Sequence, residues 1–292
     1  METVVLAHNY QRPEVQVMAD VLGDSLELAM RAADEDADRL IMCGVDFMAE
    51  VVKVLNPDRE VAIPDPRAKC SLAMRITADD VREIRRERPD AAVVAYVNTP
   101  VEVKAEADVV CTSANAVEVV SKLPEDEVVL VPDTNLASWV DENVPDKEVV
   151  GYPPAGCCPV HQAMTPSDVG RLVSSHPGLP ILAHPECPRC TRMTADHVGS
   201  TSQMYRWCEE NGPDGVILLT EEGLGFRIER ELGVNVVTLE HAVCPDMKVI
   251  TADKLEKVIS SERLPEYTRV EIDGDVLRDA QESVEEMFRL TG

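Results

Sequence analysis

Three cysteines at nearly equal distances are the residues of this chain most suited to joint chemistry. Cys70 lies 88 residues before Cys158, and Cys244 lies 86 residues after it. The middle thiol sits in Gly156-Cys157-Cys158-Pro159-Val160-His161, between an apolar run ending at Gly151 and a helix start at Thr165-Pro166-Ser167-Asp168. That is a turn at the end of a strand, where α/β proteins place their chemistry. Three thiolates gathered from three loops suit zinc or an iron–sulfur cluster. Structural zinc normally takes four protein ligands, often from paired C-x-x-C arms. Clusters normally take four cysteines, so three single ones suit a [4Fe–4S] cluster with one iron left open as a Lewis acid. Buried, inert thiols are the plainer alternative.

A second series repeats independently. Ala7-His8-Asn9-Tyr10, Ala95-Tyr96-Val97-Asn98 and Ala183-His184-Pro185-Glu186 each close an apolar run, and His8, Tyr96 and His184 are 88 residues apart. One strand-end histidine is ordinarily structural. Six groups (His8, Tyr10, Tyr96, Asn98, His184 and Glu186) repeating at one place point to a shared polar site. A third series comprises Gly44-Val45-Asp46, Cys111-Thr112-Ser113 and Gly199-Ser200-Thr201, with its first member out of step. Gly199-Ser200-Thr201-Ser202 lies where a strand meets a helix, so its N–H groups and hydroxyls could hold an anion. Ser113 is its counterpart in the second unit. Each of these alone is also an ordinary helix cap.

A repeat this long means duplicated domains rather than a solenoid. Short apolar strands alternating with helices predict parallel sheets. The fold class expected is α/β: three related αβα three-layer units arranged pseudo-threefold, each sending one cysteine and one polar loop to a common centre. Their expected spans are 1–75, 76–163 and 164–250, with the tail 251–292 packing on the first. In the first unit Val4–Ala7 reads as a strand, and Pro13 opens a helix to about Leu22 that Gly23 stops. Asp24 then caps a helix over Ser25–Ala33. This unit reads as short of its siblings' pattern in one place and long in another: about 20 extra residues follow its first strand, and about 20 are missing before its cysteine. The tail reads as a helix, a strand at Arg269–Ile272 and a terminal helix.

Composition bounds the function. A net charge of −26 argues against nucleic acid, which needs basic patches. No apolar run approaches the ~20 residues of a membrane span. No charged leader precedes Val4-Val5-Leu6-Ala7, so no signal peptide is expected. Nine cysteines, an odd number, argue against a disulfide scaffold and fit a reducing cytoplasm. Cys187-x-x-Cys190 has no second such arm and reads as ordinary thiols; Cys43, Cys111 and Cys208 read as core residues.

In order along the chain stand Ala7-His8-Asn9-Tyr10-Gln11, Gly23-Asp24-Ser25-Leu26, Tyr96-Val97-Asn98-Thr99 and Thr112-Ser113-Ala114-Asn115-Ala116. His184-Pro185-Glu186-Cys187, Gly199-Ser200-Thr201-Ser202-Gln203-Met204 and Cys244-Pro245-Asp246-Met247-Lys248 follow. From Val4 to about Lys248 the set resembles the quinolinate synthase family (quinolinate synthase A). The resemblance implies condensation of iminoaspartate with dihydroxyacetone phosphate to quinolinate, the pyridine precursor of NAD, with loss of phosphate and water. It implies a [4Fe–4S] cluster on Cys70, Cys158 and Cys244. It implies a substrate site of His8, Ser25, Tyr96, Val97, Asn98, Ser113, His161, His184, Pro185, Glu186, Gly199, Ser200 and Thr201. Glu186, Tyr10, His8 and His184 would be catalytic, with His161 near the reacting groups. The implied partners are these two small molecules and, transiently, an enzyme that supplies iminoaspartate.

Two departures stand out: the chain begins almost at its first strand, where the family usually has a helix first, and two cysteines precede Pro-Val-His where the family has one. Counting back from His161 selects Cys158. A diphthamide-forming radical enzyme would share the cysteine layout, but the His-Pro-Glu and Tyr-Val-Asn loops argue against it. An iron–sulfur carrier would need no such convergent polar set.

Both implied substrates are anions, so local groups must beat the global field: the open iron, helix N-termini at Ser25, Ser113 and Ser200–Thr201, and His8 and His184. The charge itself suggests a salty cytosol, where a Debye length of ~3 Å at 1 M makes self-repulsion tolerable. Stability should therefore rise from low salt to about molar KCl as repulsion is screened. A melting temperature flat across that range would rule out salt adaptation.

Overall fold

The structure is a computed structural model and describes residues 2–292. Strands joined through helices must run parallel, and buried parallel strands read as apolar runs. The first unit runs β1 (Thr3–His8), α1 (Pro13–Met18), β2 (Val21–Gly23), α2 (Ser25–Asp34), β3 (Arg39–Cys43), α3 (Asp46–Leu55) and β4 (Glu60–Ala62). Helix α4 (Ala78–Glu87) leads to β5 (Ala92–Tyr96), α5 (Val101–Glu106), β6 (Val109–Cys111) and α6 (Ala116–Lys122). β7 (Glu127–Val131), α7 (Thr134–Asn143) and β8 (Glu148–Gly151) complete the second sheet. Helices α8 (Pro159–Gln162) and α9 (Pro166–Ser175) precede β9 (Ile181–Ala183), α10 (Arg189–Arg192) and β10 (His197–Val198). α11 (Thr201–Asn211), β11 (Gly215–Leu219), α12 (Glu222–Leu232) and β12 (Asn235–Val237) follow, and α13 (Ala252–Ile259) and α14 (Gly274–Thr291) close the chain.

The protein is thus α/β, with three four-stranded parallel sheets of one topology. Their orders are β2-β1-β3-β4, β6-β5-β7-β8 and β10-β9-β11-β12. No helix among the described residues is long and apolar enough to cross a membrane.

The first unit matches its siblings far better than its sequence suggests. Residues 21–23 form strand β2 rather than the end of a helix. The cause is Asp20, whose carboxylate accepts the Val5 N–H at 2.8 Å while its own N–H donates to Val5 O at 2.9 Å. This forces the chain out of the helix after Met18, and Val21 and Leu22 pair with β1. Asp108 and Asp196 make the same bond to Val93 and Ile181, at 2.7 and 2.9 Å. The three aspartates are 88 residues apart. His8 pairs with Gly23 and Tyr96 with Cys111; Ala183 pairs with Val198, which sets His184 beside Gly199. The counterpart of Cys111-Thr112-Ser113 is therefore Gly23-Asp24-Ser25, not Gly44-Val45-Asp46. The supposed insertion and deletion both vanish.

Arg269–Ile272 is not a strand. It forms one antiparallel bridge, Ala62 to Arg269, with Ile63 N–H donating to Thr268 O and Val270 N–H to Val61 O, both at 2.9 Å. Asp273 caps α14 immediately afterwards, so no ladder can grow. The segment covers the open edge of β4. The tail divides between two units. α13 packs on α1 and β3, whereas α14 packs mainly on α5, α6 and β6. Its seat is thus not the first unit alone. Ala280, Val284 and Met287 of α14 belong to one continuous apolar core shared by the first two units. The third unit holds two smaller cores of its own.

The turn before the middle cysteine is closed by backbone. Gly156 O accepts the Thr134 N–H at 2.7 Å and the Thr134 hydroxyl at 2.8 Å. A Cβ on Gly156 would meet Pro132 O at 1.9 Å, which no rotamer relieves. Gly156→Ala should destabilise by about 1–3 kcal/mol, the usual scale of overpacking. A thermal melt should fall by several degrees; an unchanged melt would show that the turn can yield.

Candidate active site

All strands of a parallel sheet end on one side, and the loops there form one rim. The three rims line a single cavity. β1, β5 and β9 deliver His8, Tyr96 and His184, and two residues later come Tyr10, Asn98 and Glu186; all six line it. β2, β6 and β10 lead to Ser25, Ser113 and Thr201, which line it too. Cys70, Cys158, Cys244, His161 and Val97 complete the expected residues found on its wall. Pro185, Gly199 and Ser200 do not line it. Ser200 is fully buried, caps α11 and donates its hydroxyl to Asp24 at 3.0 Å. The anion-holding role expected of Ser200 is thus occupied by a bond between units. Ser113 stands on a turn three residues before α6, not at a helix N-terminus.

Glu186 is the centre of the polar set. Its Oε2 lies 2.7 Å from His161 Nδ1 and 3.5 Å from His184 Nδ1, with all three side chains at most 5% exposed. The His161 contact lies off the line of its N–H and acts as a close electrostatic pair. Asn98 Nδ2 donates to Glu186 Oε1 at 3.5 Å. Burial opposes ionisation of Glu186, but His161 first, then His184 and the Tyr96 hydroxyl, outweigh it and hold the carboxyl down at about 2. Glu186 is thus an ionised acceptor. Burial, and then the Glu186 charge, push the Tyr10 and Tyr96 phenols well above their ordinary range. They keep their protons and can only donate them.

His8 and His184 differ from expectation. Burial lowers His8 to about 4; burial and the neighbouring His161 lower His184 to about 3. Both are neutral near pH 7 and offer hydrogen bonds rather than positive charge. Lys248 stands behind this wall: its Nζ lies 2.8 Å from Glu221 Oε1 and donates to Tyr10 O at 2.9 Å.

Thr220 is a functional candidate absent from the sequence reasoning. Its hydroxyl lies 2.5 Å from Tyr10 Oη and 2.9 Å from His161 Nε2. A hydrogen-bonded path therefore runs Tyr10–Thr220–His161, with the Glu186 carboxylate against the other nitrogen of the imidazole. His161 also stacks on His184 at 4.6 Å between centroids. A lone Thr at a strand end carries no sequence signal. Asp24, Asp133 and Glu221 were also missed, although Asp46, Asp133 and Glu221 recur at 87 and 88 residues.

Cys158, and not Cys157, is on the cavity wall; the Cys157 thiol faces Ala155 O at 3.8 Å. Burial raises all three lining thiols: Cys70 and Cys158 well above the ordinary range, Cys244 to about 11. Ionising them together would require a cation. Cys158, His161 and Glu186 also place one ligand atom each within 4.8 Å of one another. Cys187 is buried and Cys190 exposed, and neither lines the cavity.

Three repeated α/β units that turn carboxylates, three imidazoles, two phenols and three thiols into one buried cavity define an α/β enzyme. The chain belongs to the quinolinate synthase family: the family model NadA, quinolinate synthetase A protein, matches residues 1–289. It is 61% identical to the quinolinate synthase of Methanopyrus kandleri over 291 residues, the full length of both chains. It is 43% identical to that of Methanothermobacter thermautotrophicus, covering 99% of this chain and 94% of the relative. It is 41% identical to that of Thermotoga maritima, covering 99% and 95%.

The proton path generates a graded expectation for quinolinate formation. Glu186→Gln removes the acceptor and should slow turnover by ~100-fold or more, the scale of a positioned base. Thr220→Val removes the hydroxyl that bridges Tyr10 and His161 and should slow it by about five- to tenfold, as the ~1–1.5 kcal/mol net worth of a hydrogen bond implies. Equal, near-normal turnover in both variants would refute the path.

Proposed function

We propose that this enzyme condenses iminoaspartate with dihydroxyacetone phosphate to quinolinate, losing phosphate and water, as a step of NAD biosynthesis. Membership of the family supports the product. The observation that carries the rest is the set of three cysteines on equivalent loops, facing one cavity together with Glu186. The donor set fits a [4Fe–4S] cluster on Cys70, Cys158 and Cys244: three single thiols, each too costly to ionise alone in a buried wall, become favourable ligands beside iron. Such a cluster, with one iron free of protein ligand, supplies a Lewis acid for a leaving hydroxyl.

The chain's own groups then divide the work. Ionised Glu186 accepts protons from the substrate. Tyr10 and Tyr96 donate, with Tyr10 connected to His161 through Thr220. Neutral His8 and His184 and the amide of Asn98 orient substrate oxygens by hydrogen bonds. The hydroxyls of Ser25 and Thr201 stand at the first turns of α2 and α11, where N–H groups and the helix dipole favour carboxylate or phosphate. Ser113 adds a third hydroxyl. Burial of the site excludes water that would hydrolyse an imine. The partners proposed are the two small molecules and, transiently, the enzyme that makes iminoaspartate. Nucleic acid and membrane are not among them. Nine free thiols support a reducing cytoplasm as its place of work.

Protein reconstituted with iron and sulfide without oxygen should hold about four of each and absorb broadly near ~400 nm. It should form quinolinate from the two substrates. Cys158→Ser should lose the cluster signal and the product, and Cys157→Ser should largely keep both. A single metal ion without inorganic sulfide would shift the reading to a mononuclear site on Cys158, His161 and Glu186. The reverse cysteine result would move the ligand by one residue.

A further inference from the structure

Three carboxylates occupy one topological address, and nothing above uses them. Asp46 opens α3 after β3, Asp133 caps α7 after β7, and Glu221 caps α12 after β11. Each also accepts the backbone N–H of the cysteine that its unit sends to the cavity. Asp133 Oδ1 takes the Leu136 N–H at 2.8 Å while Oδ2 takes the Cys158 N–H at 3.0 Å. Glu221 Oε2 takes the Gly223 N–H at 2.7 Å while Oε1 takes the Cys244 N–H at 3.1 Å. Asp46 Oδ1 takes both the Phe47 N–H at 3.0 Å and the Cys70 N–H at 3.4 Å.

Electrostatics does not explain this choice of residue. A carboxylate beside a thiol that must ionise is unfavourable, and the fold accepts that three times. Nor is an ion pair the shared element. Glu221 has Lys248 at 2.8 Å and Asp46 has Lys69 at 3.4 Å, but Asp133 has no ion-pair partner among the described residues. What the three share is a bridge between a helix N-terminus rooted in a sheet and the N–H of a cysteine. A carboxylate suits it because both of its oxygens accept. An amide of the same size presents an NH₂ to one of the two N–H groups.

Building on the cluster reading above, we propose that Asp46, Asp133 and Glu221 are positioning residues, one per unit, that set the three cysteines against one another for an iron–sulfur cluster. Each ties a loop that follows the last strand of its sheet to the first turn of a helix in the same sheet, so the three thiols share one rigid frame. Groups that orient metal ligands from behind act this way, and their loss typically weakens metal binding by about 10–100-fold.

The test uses full-length protein reconstituted with iron and sulfide without oxygen. It reads the rate of iron loss to a chelator and the electron paramagnetic resonance of the reduced cluster. Asp133→Asn and Glu221→Gln should lose iron about tenfold or more faster than the unaltered protein, with a changed resonance. Asp46→Ala should do the same, and Asp46→Asn, which keeps an oxygen able to accept both N–H groups, should be milder. Thr77→Ala, which removes the cap of α4 and touches no cysteine, should lower the melting temperature but leave iron loss and resonance unchanged. Iron loss and resonance in the three carboxylate variants matching those of Thr77→Ala would overturn the proposal. So would failure of these variants to fold without the cluster, which would assign the carboxylates to the fold. Unaltered protein that takes up no iron and sulfide would instead sink the cluster reading, a result distinct from normal loading in every variant.

Discussion

Parallel pairing is the constraint on which this structure rests. Strands joined through helices must run the same way, so each sheet delivers all its chain ends to one rim. The register sharpens this into an address. His8, Tyr96 and His184 each stand beside the residue that opens the next rim loop, Gly23, Cys111 and Gly199. The aspartates Asp20, Asp108 and Asp196 hold that register from the opposite end of the strand. One backbone address then accepts different side chains: Tyr10, Asn98 and Glu186 occupy equivalent places and bring a phenol, an amide and a carboxylate. The units share a scaffold while differing in chemistry.

The interior of this chain contrasts with a surface that carries the net charge of −26. Here the arrangement is mostly neutral. Burial strips charge from His8 and His184, and the phenols retain their protons. The exception is Glu186, kept ionised by His161 despite its burial. That pairing affects its neighbours: burial and then the Glu186 charge push the Asp133 carboxyl up, against the N–H groups of Leu136 and Cys158 that favour its ionised form. Interlocks between units stabilise the arrangement. Asp24 meets Ser200, Gln203 donates to Ala114 O at 3.1 Å, and Asn9 donates to Thr201 Oγ1 at 2.8 Å. Asp24 and Ser200, which cap α2 and α11, thus also hold two units in contact.

The alternation of strands and helices was legible because buried parallel strands are apolar on both faces. The 88-residue repeat was legible because strand-end residues are exposed to function rather than to packing. The first unit was misread for a definite reason. Residues 13–22 carry a helix opener and no breaker before Gly23, and the signal that ends the helix is the Asp20 side chain reaching back to Val5. Long-range bonds of this kind have no local signature. Ser200 looked like a ligand-binding hydroxyl because composition cannot tell a cap facing a cavity from one facing another unit. Thr220 was invisible because its role depends on Tyr10 and His161, 210 and 59 residues away. The tail strand failed because two backbone bonds to an edge look, in sequence, like the start of a ladder.

The seat of α14 bears on how the molecule is made. The first two units share one core, and Ala280, Val284 and Met287 belong to it. Ser283 fastens the helix to Lys104 O at 2.8 Å. Synthesis runs from the N-terminus, so the third unit emerges from the ribosome while that core still lacks its cover. The apolar surface of α5, α6 and β6 stays open during translation of residues 164–273. Chains folding domain by domain are most prone to aggregate while such surface is open. Docking of α14, rather than completion of any one sheet, is the event that covers this core.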